Sequence, residues 1–469
     1  MNATSRRLHA RQVSSTGFGL LLCLLASSGG VAHGQATTIQ LPEFGVAIDA
    51  DGVVSRRAVE DPGGRLAAER AAAARAALPG DVLRHSRLRK ISLVRLDAAL
   101  RRRAAAGAGP DPIERHLAGL TRLRFAFLFP EHGDIVIAGE AGGWRDDGLG
   151  RAVSLTSGQP VIPLEDLCVA LRALWPGRRG PQFIGCSIDP EPEALVRLRE
   201  FQGTVPRAVA DRERPAVAAW IHEGLQTALG EGAVRVFGVP TATHFARVLV
   251  EADYRMKLIA IDLEPPPVPL RTFLGGLQSA PRNTLQRWWF RPDDRCLRVA
   301  AEGRSCELIG RSVRLSTEDL TIGADGRLVD RGGKAGAAAQ AFAAAFTAKY
   351  PQIAERSPVF AQLRNGIDLL VLAAFMRREN WQTAIAWDAT GLRDEQLVTT
   401  ETLPPPRRMP CAVNVVWKGS VLLAPAGGVS IVPDELLAPE RVSIAPAGAL
   451  DDQRSSSEPQ LGGNGWWWD

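Results

Sequence analysis

LRFAFLFPEHGDIVIAG, residues 123–139, is the stretch on which the fold turns. Two apolar runs, 123–129 and 135–139, flank the turn-forming Pro130-Glu131-His132-Gly133-Asp134, so the segment reads as two hairpin strands. Downstream, Leu164, Leu167, Cys168, Leu171 and Leu174 fall on one helical face. A strand is predicted over 182–188, and Asp189-Pro190 supplies an N-cap and first-turn pair for a helix carrying Leu195 and Leu198. A helix over 216–229 follows, with Val217, Ile221 and Leu225 inward. Then come a strand over 234–239, a helix over 244–256 and a strand over 258–263. Alternation of this kind predicts an α/β fold of mixed α+β type, a layered sheet with packed helices and some antiparallel pairing.

Proline runs and composition divide the chain further. Residues 1–34 are read as a signal peptide and 35–115 as a strand with Ala/Arg-rich helices. Residues 116–265 form the α/β core, and 266–402 a smaller α+β region after Glu264-Pro265-Pro266-Pro267. Residues 403–450 contain a hairpin turning at Lys418-Gly419, and 451–469 a polar tail, read as disordered, that ends in Trp466-Trp467-Trp468. One helix in the smaller region, with Leu363, Ile367, Leu370, Val371 and Phe375, is apolar on nearly every face and is predicted to be buried; Arg364 and Asp368 interrupt it as a buried pair.

The leader has Arg6 and Arg7, an apolar core over 17–26, and small residues to Gly34, a pattern that predicts export and cleavage before Gln35. Its apolar run is too short to span a bilayer, and no later segment reads as long and apolar enough. The mature chain is therefore expected in the periplasm or outside the cell. The sequence pI of 9.1 is not a nucleic-acid signature: three of the basic residues sit in the leader, and removing them takes the net charge from +5 to +2. Only five of the 56 basic residues are lysines, and Arg and Glu alternate along helices without a basic stripe. Five cysteines remain after cleavage. Cys296 and Cys306, flanking a predicted hairpin, are the expected disulfide.

Signatures of standard chemistry fail on inspection. Gly332-Gly333-Lys334 lacks the upstream glycine of a phosphate loop, and the helix at His222-Glu223 has Gln226 where a zinc peptidase needs its second histidine. No metal site and no cofactor are expected. The order strand–His132–Gly133, helix, strand–Cys186 resembles caspase-like peptidases, in which a histidine lowers the cost of forming a thiolate. Read structurally, His132 is a turn residue and Cys186 a small buried filler. The densest polar group is Glu251, Asp253, Tyr254, Arg255 and Lys257. Arg247, Glu251 and Arg255 at i, i+4 spacing read as an exposed ion-pair ladder, or alternatively as a site for an anion or carboxylate.

Four stretches together resemble a family of planctomycete exported proteins classed as a domain of unknown function. They are DIVIAGEAGGW (134–144), GCSIDPEPEALVRL (185–198), HFARVLVEADYRMK (244–257) and LRNGIDLLVLAAF (363–375). The resemblance implies export and carries no catalytic residue. The expected function is a non-catalytic binding or assembly module of the cell envelope, with a protein or a small anionic ligand as partner. The alternative is an unrecognised hydrolase, a caspase-like peptidase using Cys186 with His132 or an enzyme using the Arg255 cluster.

Overall fold

The hairpin forms where the sequence places it, between strands Leu120–Phe129 and Asp134–Ala141, with Phe129 opposite Asp134. Pro130–His132 make a single 3-10 turn, and Gly133 at φ 58° lets the chain reverse. Phe125, Phe127 and Phe129 stack on one face with Val136 and Ala138, while Leu123, Ala126, Leu128, Ile135 and Ile137 fill the main core on the other. Burial on both faces is why the runs are continuously apolar instead of alternating.

The computed structural model describes residues 43–177, 180–206, 209–277, 284–322, 328–329, 336–416, 421–423, 425–459 and 465–469. The leader, Gly332-Gly333-Lys334 and the Lys418-Gly419 turn lie outside them. Leu41–Asp469 make one compact unit.

Two seven-stranded sheets organise that unit. The first runs Val442–Ile444, Leu297–Val299, Ser305–Leu308, Leu120–Phe129, Asp134–Ala141, Ser86–Ser92, Trp467–Trp468. The second runs Leu328–Val329, Val313–Ile322, Thr284–Pro292, Ala426–Ile431, Ile184–Asp189, Glu231–Phe237, Arg408–Pro410. Pairing is mostly antiparallel, with one parallel step in each sheet. Strands from both sides of each proline run share a sheet, so those runs are connections within one body.

The helices explain the burial pattern. His244–Ala260 packs on the Ile184–Asp189 and Ala426–Ile431 strands of the second sheet. Pro358–Arg378 packs against that helix, against Leu164–Leu174, and on the Leu120–Phe129 strand of the first sheet. With a sheet on either side, both long helices are enclosed all round. The mixed α+β class is thus as expected, and so is the buried helix.

Several expectations change. The run 258–263 continues the His244–Ala260 helix and then turns, with the Leu263 amide donating to the Leu258 carbonyl. An apolar run enclosed on all sides looks alike as helix or strand, so periodicity cannot separate them. By length and composition Pro358–Arg378 does pass as a membrane span, but its apolar window is wholly buried inside the protein. Cys296 and Cys306 are free and buried. Cys306 sits opposite Val299, which places Cys296 three rungs away, beyond the reach of a disulfide. Of the tail, 460–464 lie outside the described residues, Asp451–Ser456 form a helix, and Trp467–Trp468 pair with the Ser86–Ser92 strand. Composition reports average polarity and misses such an aromatic anchor.

Arg364 and Asp368 are buried but make no ion pair with each other among the described residues. Neither Asp368 oxygen has a hydrogen bond of ordinary length. Burial pushes this carboxyl from 3.8 to about 6, against the pull of Arg122, Ser312 and Arg364. A raised carboxyl favours the fold below its unfolded value and loses that contribution as pH climbs through the folded one, by about 3 kcal/mol here. Asp368→Asn is therefore expected to melt above the native chain at about pH 8, with the gap closing toward about pH 5. Thermal melts followed by circular dichroism test this, and a gap that ignores pH refutes it.

Candidate functional site

The 251–257 group is not an exposed ladder. Glu251, Asp253, Tyr254, Arg255 and Lys257 are all buried, because the helix that carries them lies between the two sheets. Lys257 Nζ donates to Asp253 Oδ2 at 2.7 Å and to the carbonyls of Ile188 and Gly427 at 3.1 and 3.2 Å. All three ammonium protons are thus used, and the helix is tied to two neighbouring strands. Gly427 sits at φ 117°, and a Cβ there would lie 1.9 Å from the Trp288 carbonyl oxygen, so only glycine brings that carbonyl to the lysine.

One turn earlier, charges alternate in a chain. Asp147 accepts from Arg151 Nε at 2.6 Å, and Arg151 Nη1 reaches Glu251 at 3.4 Å. Glu251 lies 3.8 Å from Arg255. Arg255 holds Glu264 through Nε at 2.9 Å and Nη2 at 2.6 Å, and donates Nη1 to the Phe44 carbonyl. Burial pushes Asp253 up to about 6 against Lys257, and raises Glu264 against Arg255. Burial also raises the Tyr254 hydroxyl. The lattice locks the Glu43–Ile48 strand and the 147–151 loop onto the helix. Among the described residues these side chains are buried and taken up by protein partners.

His132 lies in the turn of a hairpin of the first sheet and Cys186 in a strand of the second. His132 Nε2 meets Glu458 at 2.9 Å beside the Phe129 ring. Cys186 is fully buried in its strand, between Val236 and Val429, and burial raises its thiol well above the ordinary value. Cys168, Cys296 and Cys306 are pushed to about 12 and Cys411 to about 11 by the same cause. The chain order of a cysteine peptidase is present without a contact between the two groups. Among the described residues no three of His, Cys, Asp and Glu gather as a metal would need.

A cleft that sequence reasoning missed lies along the Leu164–Leu174 helix. It has a volume of about 440 Å³ and is lined by Val169, Arg172, Ala173, Gly238, Pro240, Arg393, Asp394, Glu395 and Thr400. Arg172 is held rigid: it pairs with Glu395 and donates to Thr400 Oγ1 and to the carbonyls of Leu392, Asp394 and Val398. Arg393 stacks over Trp175 at 4.5 Å. Glu165 is one turn before Val169 on the lining face of the same helix. Burial takes its carboxyl to about 7, with the His244 charge pulling it down and Asp166 and Glu395 pushing it up. His244 Nδ1 lies 3.0 Å from both Asp166 oxygens, and its Nε2 lies 3.1 Å from the Gln362 amide. Burial opposes the imidazolium, yet Asp166 and Glu165 outweigh it and raise His244.

A family model described as a protein of unknown function, DUF1598, matches residues 186–273. No curated protein and no solved structure matches the chain. The DUF1598 segment opens on the strand of Cys186, includes Lys257, Arg255, Glu264 and His244, and supplies Gly238 and Pro240 to the cleft lining. What the match covers is thus the ionic lattice and one wall of the cleft. Glu165, Asp166 and Arg172 come from outside it. No spacing rule links Asp166 to His244, 78 residues away, and only the fold brings them together.

Removing one member of a buried pair strands the other charge, at about 3–5 kcal/mol, whereas an exposed pair is worth under about 1. Arg255→Ala is expected to lose several kcal/mol in urea denaturation, and Arg235→Ala, whose partner Glu191 is half in water, less than about 1. Equal small losses would return Arg255 to the surface.

Proposed function

We propose that the chain is a non-catalytic binding module of the cell envelope, exported by its leader as the resemblance to planctomycete exported proteins implies, and that it takes a small anionic ligand in the cleft beside Leu164–Leu174. The observation that carries this reading is the prebuilt wall of the cleft. Arg172 is fixed from five directions before any ligand arrives, so binding costs little further ordering. Its volume, about 440 Å³, suits a small molecule. Arg172 and Arg393 bring positive charge to the wall, balanced by Asp394 and Glu395, over a floor of Val169 and Ala173 that is apolar, so an anion would have to draw one of the arginines from its carboxylate. The burial of Cys186 and of the 251–257 charges supports binding over nucleophilic chemistry, since those groups are occupied inside the core.

A hydrolase reading has one observation in its favour, moved away from Cys186. Glu165, near neutrality, feels the charges of the Asp166–His244 pair and of Glu395, a residue of the cleft lining, and proton transfer at pH 7 favours groups titrating there.

Thermal-shift titration with phosphate, sulfate, acetate, succinate and citrate tests the first reading. At least one anion is expected to raise Tm by about 2 °C or more at a hundredfold excess over its Kd, and Ala173→Trp, which fills the cleft, to abolish the rise. A rise that survives Ala173→Trp places the ligand elsewhere. Ester hydrolysis with an optimum near neutrality that Glu165→Gln removes would favour the second reading instead.

A further inference from the structure

The Trp467–Trp468 strand is a short added edge with an unusual receptor. It pairs antiparallel with Ser86–Ser92, Trp467 opposite Ile91 and Trp468 opposite Lys90, and the Ser92 amide donates to the Trp466 carbonyl. Beneath it lies Arg89, with no exposed surface. Its guanidinium donates to Asp469 through Nε at 2.8 Å and Nη2 at 3.1 Å, and the Trp467 ring covers it at 4.5 Å. The same guanidinium also donates to the carbonyls of Val82, Ala118, Asp81 and Arg84.

Those four carbonyls decide the matter. They belong to the body of the protein, so Arg89 stays aimed at the sheet edge whether or not Asp469 is seated. Without Asp469 the cation loses its carboxylate partner but not its position. The edge is thus a built receptor for an extended strand with an acidic residue two places after a half-buried tryptophan, the arrangement by which peptides add to sheets. Lys90 and Ser86 flank the same carboxylate.

We infer that this edge is a peptide-binding slot for the segment 466–469, and that its partner in trans is that segment of a second copy of the chain. An exchanged segment makes every contact of the closed form; only the connection differs, which is how strand exchange yields dimers at small energetic cost. The connection here is the sequence Gln-Leu-Gly-Gly-Asn, residues 460–464. A short tether gives an effective concentration of order millimolar, so the closed form dominates in dilute solution and exchange sets in where copies are crowded. The slot shares no residue with the cleft, so the two tests fail independently.

Complementary full-length variants test the inference. Asp469→Asn leaves the slot intact and weakens the segment; Arg89→Lys leaves the segment intact and weakens the slot. Each alone is expected to be monomeric by light scattering, and a mixture at about 100 µM to form a 1:1 dimer. In parallel, an acetylated and amidated peptide of residues 465–469 is titrated onto Asp469→Asn, independently of how Arg89→Lys folds. It is expected to bind at least about tenfold more tightly than the same peptide carrying Asn at the last position. Equal binding of the two peptides, or binding of neither, overturns the slot. A discriminating peptide with no mixed dimer overturns the second copy as partner.

Discussion

The Lys257 ammonium is the point on which the architecture closes. It lies in the last turn of a helix enclosed between the sheets, and its three protons go to Asp253 and to two carbonyls on adjacent strands. A charge so buried is tolerable only with every donor satisfied, which fixes the height and rotation of the helix over the second sheet. From there the constraint spreads outward. Arg255 and Glu251 sit on the same helix, and through Arg151 and Glu264 they draw the first strand and a distant loop into place. Whether such a lattice adds net stability over an apolar core is secondary. It gives the enclosed helix one register among the many that a greasy cylinder would allow.

The same constraint explains what the sequence made legible. The hairpin over 123–139, the helix with Leu164 and Leu171, and the buried helix with Leu363 and Phe375 all declare themselves through apolar spacing, a local property. The 251–257 group misled for a physical reason. Charges at i, i+4 spacing usually mark a solvated face, and nothing local says that strands 69 and 170 positions from Lys257, and a loop and first strand 100 and 211 positions from Glu251 and Arg255, will cover it. The cleft was illegible for a related reason: Arg172 and Glu395, 223 positions apart, meet only through tertiary packing. The Cys296 and Cys306 spacing suited a hairpin, but the register put them on different rungs.

Chemistry in the core is muted by burial. All five described cysteines are held as thiols, and the carboxyls of Asp253 and Asp368 are each pushed to about 6. Such shifts record the energetic cost of enclosing polar groups and do not by themselves mark a reaction centre. The groups near the cleft differ, since Glu165 and His244 are coupled to each other and Glu165 also to Glu395 of the cleft lining.

Among the described residues, both sheets finish at each side in strands of two or three residues: Trp467–Trp468 and Val442–Ile444 in the first, Leu328–Val329 and Arg408–Pro410 in the second. Strand borders so brief expose too few amides and carbonyls to template a foreign chain, and Pro410 lacks an amide altogether. A protein with this much apolar sheet is thereby guarded against fibril growth by its own margins.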